Sequence, residues 1–380
     1  MAHRSKEHAE MAASAPMLVH VESLQTAVPM RMAGAGKSLP IAVSGPPLTA
    51  AELQRRFRAV LYYRGAGAEV EAAARERAAW VKESLCAALV DHPEMAGRLR
   101  RRGDGNDGRL WEVKLRDTGV RLVQASVEAT MAEFLEARGV DRERKEAALA
   151  LWTDVDVHEP DICAPLFMQL TRFLDGGYAV GVSCSLLLAD PLSLIGFLKS
   201  WARKNTEMQA QSKHVAHPVI QYTHYIQSPG AAKRVKSGTS TLGTATATAA
   251  EDSATTVLFG APDTTSDHRA LAAACVGMAS KRLGGAAKEP PRFTVMARDS
   301  SKGLHVQTCG TVDVDYGDRE ACHGHGHGLA ARVAQWSEAG LEDLALEGSK
   351  PVHVSYSISP SADEGLVVVM PAGGAGSWSA

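Results

Sequence analysis

The sequence predicts an α/β fold, because segments typical of helices and of strands alternate along the chain. Some segments carry apolar residues at helical spacing, and others are short apolar runs that end at turn residues. With 380 residues, of which 45% are hydrophobic and 22% charged, the chain has an ordinary globular composition and enough length for two domains.

The first half of the chain begins with two predicted helices. Apolar spacing predicts a helix from Leu48 to Leu61, with Leu53, Phe57 and Val60 on its apolar face. A second helix is expected from about Ala68 to Val90, because the sequence Asp91-His92-Pro93 then interrupts the pattern.

Strands and a third helix follow in the first half. The last two predicted strands are joined by the turn Asp175-Gly176-Gly177, and the four strands cover 111–115, 121–125, 166–173 and 178–183. The third helix is predicted from Asp190 to Lys204. Its inner face is formed by Leu194, Phe197, Leu198 and Trp201.

The second half follows a segment rich in Ser, Thr, Gly and Ala. This segment, from about Ala231 to Ser266, is typical of a linker or crossover loop. Beyond it, helices are predicted over 267–282 and 328–337, and strands over 292–297, 352–358 and 365–370.

Charge and cysteine usage narrow the class of protein. The net charge of −2 gives no electrostatic reason to expect nucleic acid. The run of arginines from Arg98 to Arg102 is interpreted as a solvated loop or strand end, with a phosphate or nucleotide contact as the alternative.

The six cysteines are scattered and indicate reduced thiols in a cytosolic protein. We find no signal peptide and no apolar stretch of membrane-spanning length.

The most informative segment is Gly181–Ser193, where a predicted strand runs into a turn and then a helix. Asp190 ends the turn, and Leu186 lies four residues before it. The plant BAHD acyltransferases have His-x-x-x-Asp-Gly at the end of such a strand, and this segment resembles that motif with leucine in place of histidine. The resemblance is to the eceriferum/glossy wax-elongation group, and it is also carried by the segments 56–65, 117–128, 160–171, 350–358 and 365–371.

The resemblance implies two similar BAHD-like domains, each a mixed sheet flanked by helices. We expect a flexible N-terminus over 1–16, an N-terminal domain over 17–228, a crossover linker over 229–266 and a C-terminal domain over 267–380 that is shortened at its end.

The resemblance also assigns roles to individual residues. The family's histidine is the general base, so Leu186 leaves no intact catalytic residue, whereas Asp190 keeps the aspartate's structural role of holding the loop through an arginine. The glycine of the motif is replaced by Pro191. Of the second signature, Asp-Phe-Gly-Trp-Gly-Lys-Pro, only Lys350 and Pro351 remain, at the end of 345–351.

Arg298 follows a predicted strand where BAHD enzymes carry an arginine near the coenzyme A phosphates. It is interpreted as forming a surface salt bridge, with a weak contact to acyl-CoA as the alternative. The sequence Asp315-Tyr316-Gly317-Asp318 is similar to the second signature but lies about thirty residues too early, and it is interpreted as a surface turn.

Three further motifs are interpreted structurally. Cys184 and Ser185 flank Leu186, and Cys184 is expected to be a packed strand cysteine rather than a nucleophile. The stretch Cys322–His327 alternates His and Gly, which favours an exposed loop over a functional metal site, so no metal is expected. The segment Ala33–Ser38 lacks the first glycine and the helix of a phosphate-binding loop.

The function implied by the resemblance is that of a non-catalytic accessory protein. Such a protein acts with a β-ketoacyl-CoA synthase in very-long-chain fatty-acid elongation for wax or pollen lipid, as a monomer at the cytosolic face of the endoplasmic reticulum. It needs no cofactor, and acyl-CoA is a candidate ligand. The alternatives are an acyltransferase that uses acyl-CoA and a hydroxyl or amine acceptor, and a decayed paralogue.

Overall fold

The structure is a computed structural model that describes residues 19–31, 36–65, 71–102, 110–115, 118–212, 256–260, 268–282, 293–298, 303–309, 332–359 and 365–370. In these ranges the α-helices are α1 (Ala50–Leu53), α2 (Glu71–Asp91), α3 (Met131–Leu135), α4 (Gly139–Ala148), α5 (Pro191–Ser212) and α6 (His268–Arg282). Three short 3-10 helices cover Pro93–Ala96, Trp336–Ala339 and Leu341–Asp343.

The strands of the first half are β1 (Val19–Ala27), β2 (Ser38–Ser44), β3 (Arg56–Tyr63), β4 (Arg98–Arg101), β5 (Leu110–Lys114), β6 (Val120–Val127), β7 (Leu166–Arg172) and β8 (Tyr178–Ser185). Those that follow are β9 (Leu258–Gly260), β10 (Phe293–Arg298), β11 (Leu304–Cys309), β12 (Arg332–Ala334), β13 (His353–Ser359) and β14 (Gly365–Val369).

Two six-stranded mixed sheets form the framework. The first sheet has the order β1-β6-β7-β8-β3-β13, and only its β6–β7 pair is parallel. The second has the order β14-β10-β11-β2-β5-β4, with parallel pairs β10–β14 and β11–β2. Each sheet draws strands from both halves of the chain, and the domain boundaries stay a prediction.

One apolar core joins the two sheets. The largest cluster of buried side chains includes Leu61 of β3 and Val182 of β8 from the first sheet, and Met296 of β10 and Val306 of β11 from the second. Burial of this shared apolar surface stabilises the contact between the sheets. None of the helices in the described ranges is both long and apolar enough to cross a membrane.

The helix predicted over 48–61 is wrong except for the single turn Ala50–Leu53. The chain is helical only over α1 and continues as strand β3, in which every residue from Phe57 to Tyr63 is buried. A strand covered on both faces has a continuous apolar run, which matches a helical pattern as well as a strand pattern. The capping box of Thr49 and Glu52 starts α1, and Arg55 lies directly before β3.

Of the other predicted helices and strands, one helix is wrong and the rest are confirmed. The helix predicted over 328–337 is also wrong, because β12 and the 3-10 helix from Trp336 occupy its described part. The helices α2, α5 and α6 are confirmed, and so are the strands β5 to β8, β10, β13 and β14. The inner face predicted for α5 is buried, with Trp201 donating a 3.0 Å hydrogen bond to the Ser84 hydroxyl of α2.

Candidate functional site

The loop between β8 and α5, residues 186–189, is buried along its whole length. Leu186 is 1% exposed, and its three followers are no more than 3% exposed. Its backbone is held by neighbouring segments, because the Leu186 N–H donates to the Arg55 carbonyl at 3.0 Å and the Ser185 N–H donates to the Pro165 carbonyl at 2.8 Å. We call residues 186–189 the Leu186 loop.

Asp190 ends the Leu186 loop and caps the helix that follows. Its carboxylate accepts the Ser193 N–H at 3.0 Å and the Ser193 hydroxyl at 2.5 Å. Pro191 begins α5, where its missing N–H costs no helical hydrogen bond and its fixed φ suits the helix. The replacement of glycine by proline is therefore compatible with this cap.

Arg298 of β10 reaches the Leu186 loop from the second sheet. Its Nε lies 3.5 Å from Asp190 Oδ2, and the two side chains are only 7% and 3% exposed. Its Nη2 donates to the carbonyl oxygens of Leu186 at 3.3 Å and of Leu187 at 3.1 Å. The arginine thus pairs with the buried carboxylate and binds two loop carbonyls.

A salt bridge is present at Arg298, but the expectation that it lies at the surface is wrong, because this pair is buried. The structural role expected of Asp190 stays a prediction, which its contacts with Ser193 and Arg298 support. The contact of Arg298 with acyl-CoA stays a prediction, since the described contacts of its guanidinium are with protein groups.

Cys184 lies beside the Leu186 loop and is fully buried. Burial raises the pKa of its thiol to about 12, because a thiolate would be desolvated there. The neighbouring Ser185 hydroxyl accepts the Leu187 N–H at 3.2 Å and so supports the loop. Neither residue has the environment of an activated nucleophile.

The place of the second signature is a surface turn. Leu346 and Ser349 pair across it, and Glu347 and Gly348 at its tip have φ values of 52° and 77°. Lys350 forms a 2.7 Å ion pair with Asp343 that is largely exposed, at 64% and 74%, and this pairing lowers the pKa of Asp343. Pro351 is half-buried.

The arginine run has two kinds of member. Arg100 and Arg101 are exposed on β4, as predicted, but Arg98 is buried and donates to the carbonyls of Gly97 and Gly119, each at 2.9 Å. Burial lowers its pKa to about 10. The solvated interpretation is therefore wrong for Arg98.

Two motifs cannot be placed. The cysteine-histidine stretch Cys322–His327 and the sequence Asp315–Asp318 lie outside the described residues, as do most of the linker and Ala33 to Ala35.

Sequence reasoning missed Arg55 and Thr294, which connect the Leu186 loop to the second sheet. Arg55 is 2% exposed, and its Nη2 donates to the Thr294 hydroxyl of β10 at 3.1 Å. The two residues are 239 positions apart, so no local pattern could have indicated the contact.

The class of protein is given by a match to a family model. The sequence model of the Transferase family matches residues 60–252, about half of the chain, which therefore belongs to this family, the BAHD acyltransferases. The predicted α/β class, with mixed sheets flanked by helices, is confirmed.

Individual relatives match shorter segments. The hydroxycinnamoyl-CoA:piscidic acid hydroxycinnamoyltransferase of Actaea racemosa is 32% identical over 127 residues, which are 33% of this chain and 26% of that protein. Protein ECERIFERUM 26-like of Arabidopsis thaliana is 33% identical over 128 residues, which are 32% of this chain and 27% of that protein. The chain therefore matches only about a quarter of the length of these relatives.

Among solved structures, vinorine synthase aligns with 93% of this chain and 92% of its own. The sequence identity is 17% and the TM-score is 0.47.

Proposed function

We propose that this protein is a non-catalytic BAHD-like accessory protein of very-long-chain fatty-acid elongation that modulates a β-ketoacyl-CoA synthase. The observation that carries the proposal is Leu186, an aliphatic side chain at the position of the family's histidine, in a loop that is otherwise kept in shape by Asp190 and Arg298. A protein that acts through its surface needs the aspartate that holds the loop in shape, but it does not need the histidine that takes up a proton during acyl transfer.

Leucine cannot take a proton from an alcohol or an amine. A positioned general base typically contributes about 10²–10⁴ in rate, so its loss leaves poor transfer chemistry. Leu186 is also 1% exposed, and its contacts are those of a core residue. Since Cys184 has a raised pKa, it offers no substitute base at neutral pH.

The likeness to Protein ECERIFERUM 26-like supports the accessory role. The eceriferum/glossy group, which the sequence resembles, is associated with wax-lipid elongation. In that role the protein acts through its surface, as a monomer placed at the cytosolic face of the endoplasmic reticulum by its partner. It needs no cofactor, and acyl-CoA is a candidate ligand.

The second candidate is an acyltransferase that moves an acyl group from acyl-CoA to a hydroxyl or amine. It is favoured by the likeness to the hydroxycinnamoyltransferase of Actaea racemosa, whose name specifies a CoA thioester as donor. This function needs a different residue to serve as the base, or transfer by positioning alone. In that case Arg298 is the candidate residue for the coenzyme A contact.

Co-expression with individual β-ketoacyl-CoA synthases separates the two candidates. The accessory function predicts longer acyl chains when this protein and one such synthase are present together, and no change when either is absent. The acyltransferase function predicts instead that the purified protein forms an ester or amide from acyl-CoA at a rate above background. Unchanged chain lengths with every synthase would remove the accessory proposal.

A further inference from the structure

Two buried arginines cross between the sheets at the Leu186 loop. Arg298 extends from β10 to Asp190 and to two loop carbonyls, while Arg55 extends in the opposite direction to Thr294 of the same strand. Thr294 and Arg298 are four residues apart on β10, so their side chains are on the same face. Each half of the chain thus contributes one guanidinium to the other.

Arg55 is attached to the loop as well as to β10. Its carbonyl accepts the Leu186 N–H at 3.0 Å, and its guanidinium lies 3.2 Å from Glu52 Oε1. The other oxygen of Glu52 accepts the Thr49 N–H at 2.7 Å in the capping box of α1. A displacement of Arg55 therefore disturbs the loop, the helix cap and β10 together.

Burial makes these contacts interdependent. The Arg55 side chain is 2% exposed and Thr294 is fully buried, so neither group can exchange its partner for bulk water without local opening. A buried guanidinium is tolerated only where its charge and its N–H groups are matched. Loss of one contact accordingly weakens the others.

We propose that Arg55 adds a second arginine to the Asp190–Arg298 pair, which the family resemblance already implies, and that the two arginines form a two-arginine lock, which holds β10 against the Leu186 loop and must open before the loop becomes accessible. Arg55 is a positioning residue in this lock, because it acts through the Leu186 backbone and through Thr294. The lock concerns the conformation of the loop and is independent of whether the protein is an accessory factor or a transferase.

Cys184 is a natural reporter of this opening. Its thiol is fully buried beside the loop and reacts with N-ethylmaleimide only when the structure opens locally or unfolds globally. Labelling of the full-length protein is followed at the Cys184 peptide by mass spectrometry, over urea concentrations below the unfolding transition. Local opening exposes little surface, so its labelling rate depends only weakly on urea.

Substitutions in the lock are expected to accelerate this labelling. Arg55→Met leaves Thr294 and Glu52 without their partner, and Thr294→Val removes the acceptor on β10. Each is expected to raise the Cys184 labelling rate about tenfold, because a buried polar group is left without its hydrogen-bond partner. Because both variants break the same contact, the double variant should be little faster than either single variant.

Two controls complete the experiment. Arg56→Met makes the same substitution at the next residue, whose side chain lies over Trp152 at 5.6 Å, and should leave labelling unchanged. Arg55→Lys keeps the charge and should restore part of the protection. If Arg55→Met does not fold, Thr294→Val and Arg55→Lys decide the question.

The lock hypothesis is wrong if the rate of Cys184 labelling depends on urea concentration as steeply as global unfolding does, in the parent and in every variant. It is also wrong if the effects of Arg55→Met and Thr294→Val on the free energy of local opening, obtained from the labelling rates, are additive in the double variant. Neither result bears on chain elongation, so failure of the lock is distinguishable from failure of the proposed function.

Discussion

The two places where the family carries its signatures differ sharply in burial. In the first, Asp190 and Arg298 form an ion pair that is 3% and 7% exposed and holds a buried loop. In the second, Asp343 and Lys350 form an ion pair that is 74% and 64% exposed beside a surface turn. The first place has a buried aspartate–arginine pair, whereas in the second the ion pair is exposed and the aromatic residues of the signature are absent from the sequence. The two regions should therefore respond very differently to the loss of a carboxylate.

The largest effect on stability is expected when the carboxylate of the buried ion pair is removed, and removal of the carboxylate of the exposed pair is the comparison. Asp190→Ala leaves Arg298 buried without its counter-charge and α5 without its cap, and is expected to lower the free energy of unfolding by about 3–5 kcal/mol. Asp343→Ala is the matched control and should have no measurable effect, because water replaces an exposed partner. Urea unfolding followed by tryptophan fluorescence measures both variants. Equal losses would contradict the comparison.

The next largest effect on stability is expected from truncating an aliphatic side chain in the first region, compared with one in the second. Leu186→Ala should lower stability by about 2–5 kcal/mol, because it leaves a cavity in a closely packed loop. Val352→Ala, at a side chain that is 45% exposed beside the second region, should change stability far less. The same urea titration applies. A Leu186→Ala protein that unfolds like the parent would mean that the loop is not packed as described.

Much of the first region was predictable from the sequence. The hairpin of β7 and β8 and the inner face of α5 are given by apolar runs, a glycine turn and helical spacing, all of which are local patterns. The helix predicted over 48–61 failed because β3 is covered on both faces, and its apolar residues then fit either periodicity.

The contacts of the site could not be predicted in this way. Arg298 and Leu186 are 112 residues apart, and sequence spacing carries no information on which arginine approaches a distant carbonyl. The resemblance indicated that Asp190 needs an arginine, but only the packing of the second sheet against the first brings Arg298 to it.

A smaller effect is expected within the turn of the second region. Gly348 has a φ of 77°, which an L-residue adopts at a cost, so Gly348→Ala should lower stability by about 1–2 kcal/mol. Gly277→Ala on α6 is the matched control, because nothing lies within 4 Å of its Cβ position and alanine favours a helix. That control should be neutral or stabilising. Thermal unfolding of both variants tests the backbone described for this turn.

The smallest effect is a pH dependence at His353, on the strand that follows the second region. Arg142 Nη2 can only donate, so His353 Nε2 accepts its hydrogen bond and the imidazole is neutral. Burial lowers the pKa of His353, and the charge of Arg142 lowers it further, although Glu146 and Glu342 oppose this. Its pKa is thus lower in the folded protein than in the unfolded one.

The sign of the pH effect follows from that difference. As pH falls below about 6.5, the unfolded chain takes up a proton that the folded protein resists, so stability declines. His353→Gln retains an acceptor for Arg142 without titrating, and should flatten this decline in urea titrations between pH 7.5 and 5.5. If His353→Gln leaves the dependence of stability on pH unchanged, His353 is not the group responsible for the decline.

Restoring the base tests the central claim most directly. Leu186→His is expressed beside a β-ketoacyl-CoA synthase whose products the parent lengthens, and both acyl-chain profiles and acyl transfer from acyl-CoA are measured. If the protein acts through its surface, the variant should retain the parent's effect on chain length, apart from a modest loss due to a polar ring in an apolar site, and should gain no efficient transfer. Strong acyltransferase activity in the variant, or a parent that lengthens no product with any synthase, would contradict the account and indicate a recently inactivated enzyme.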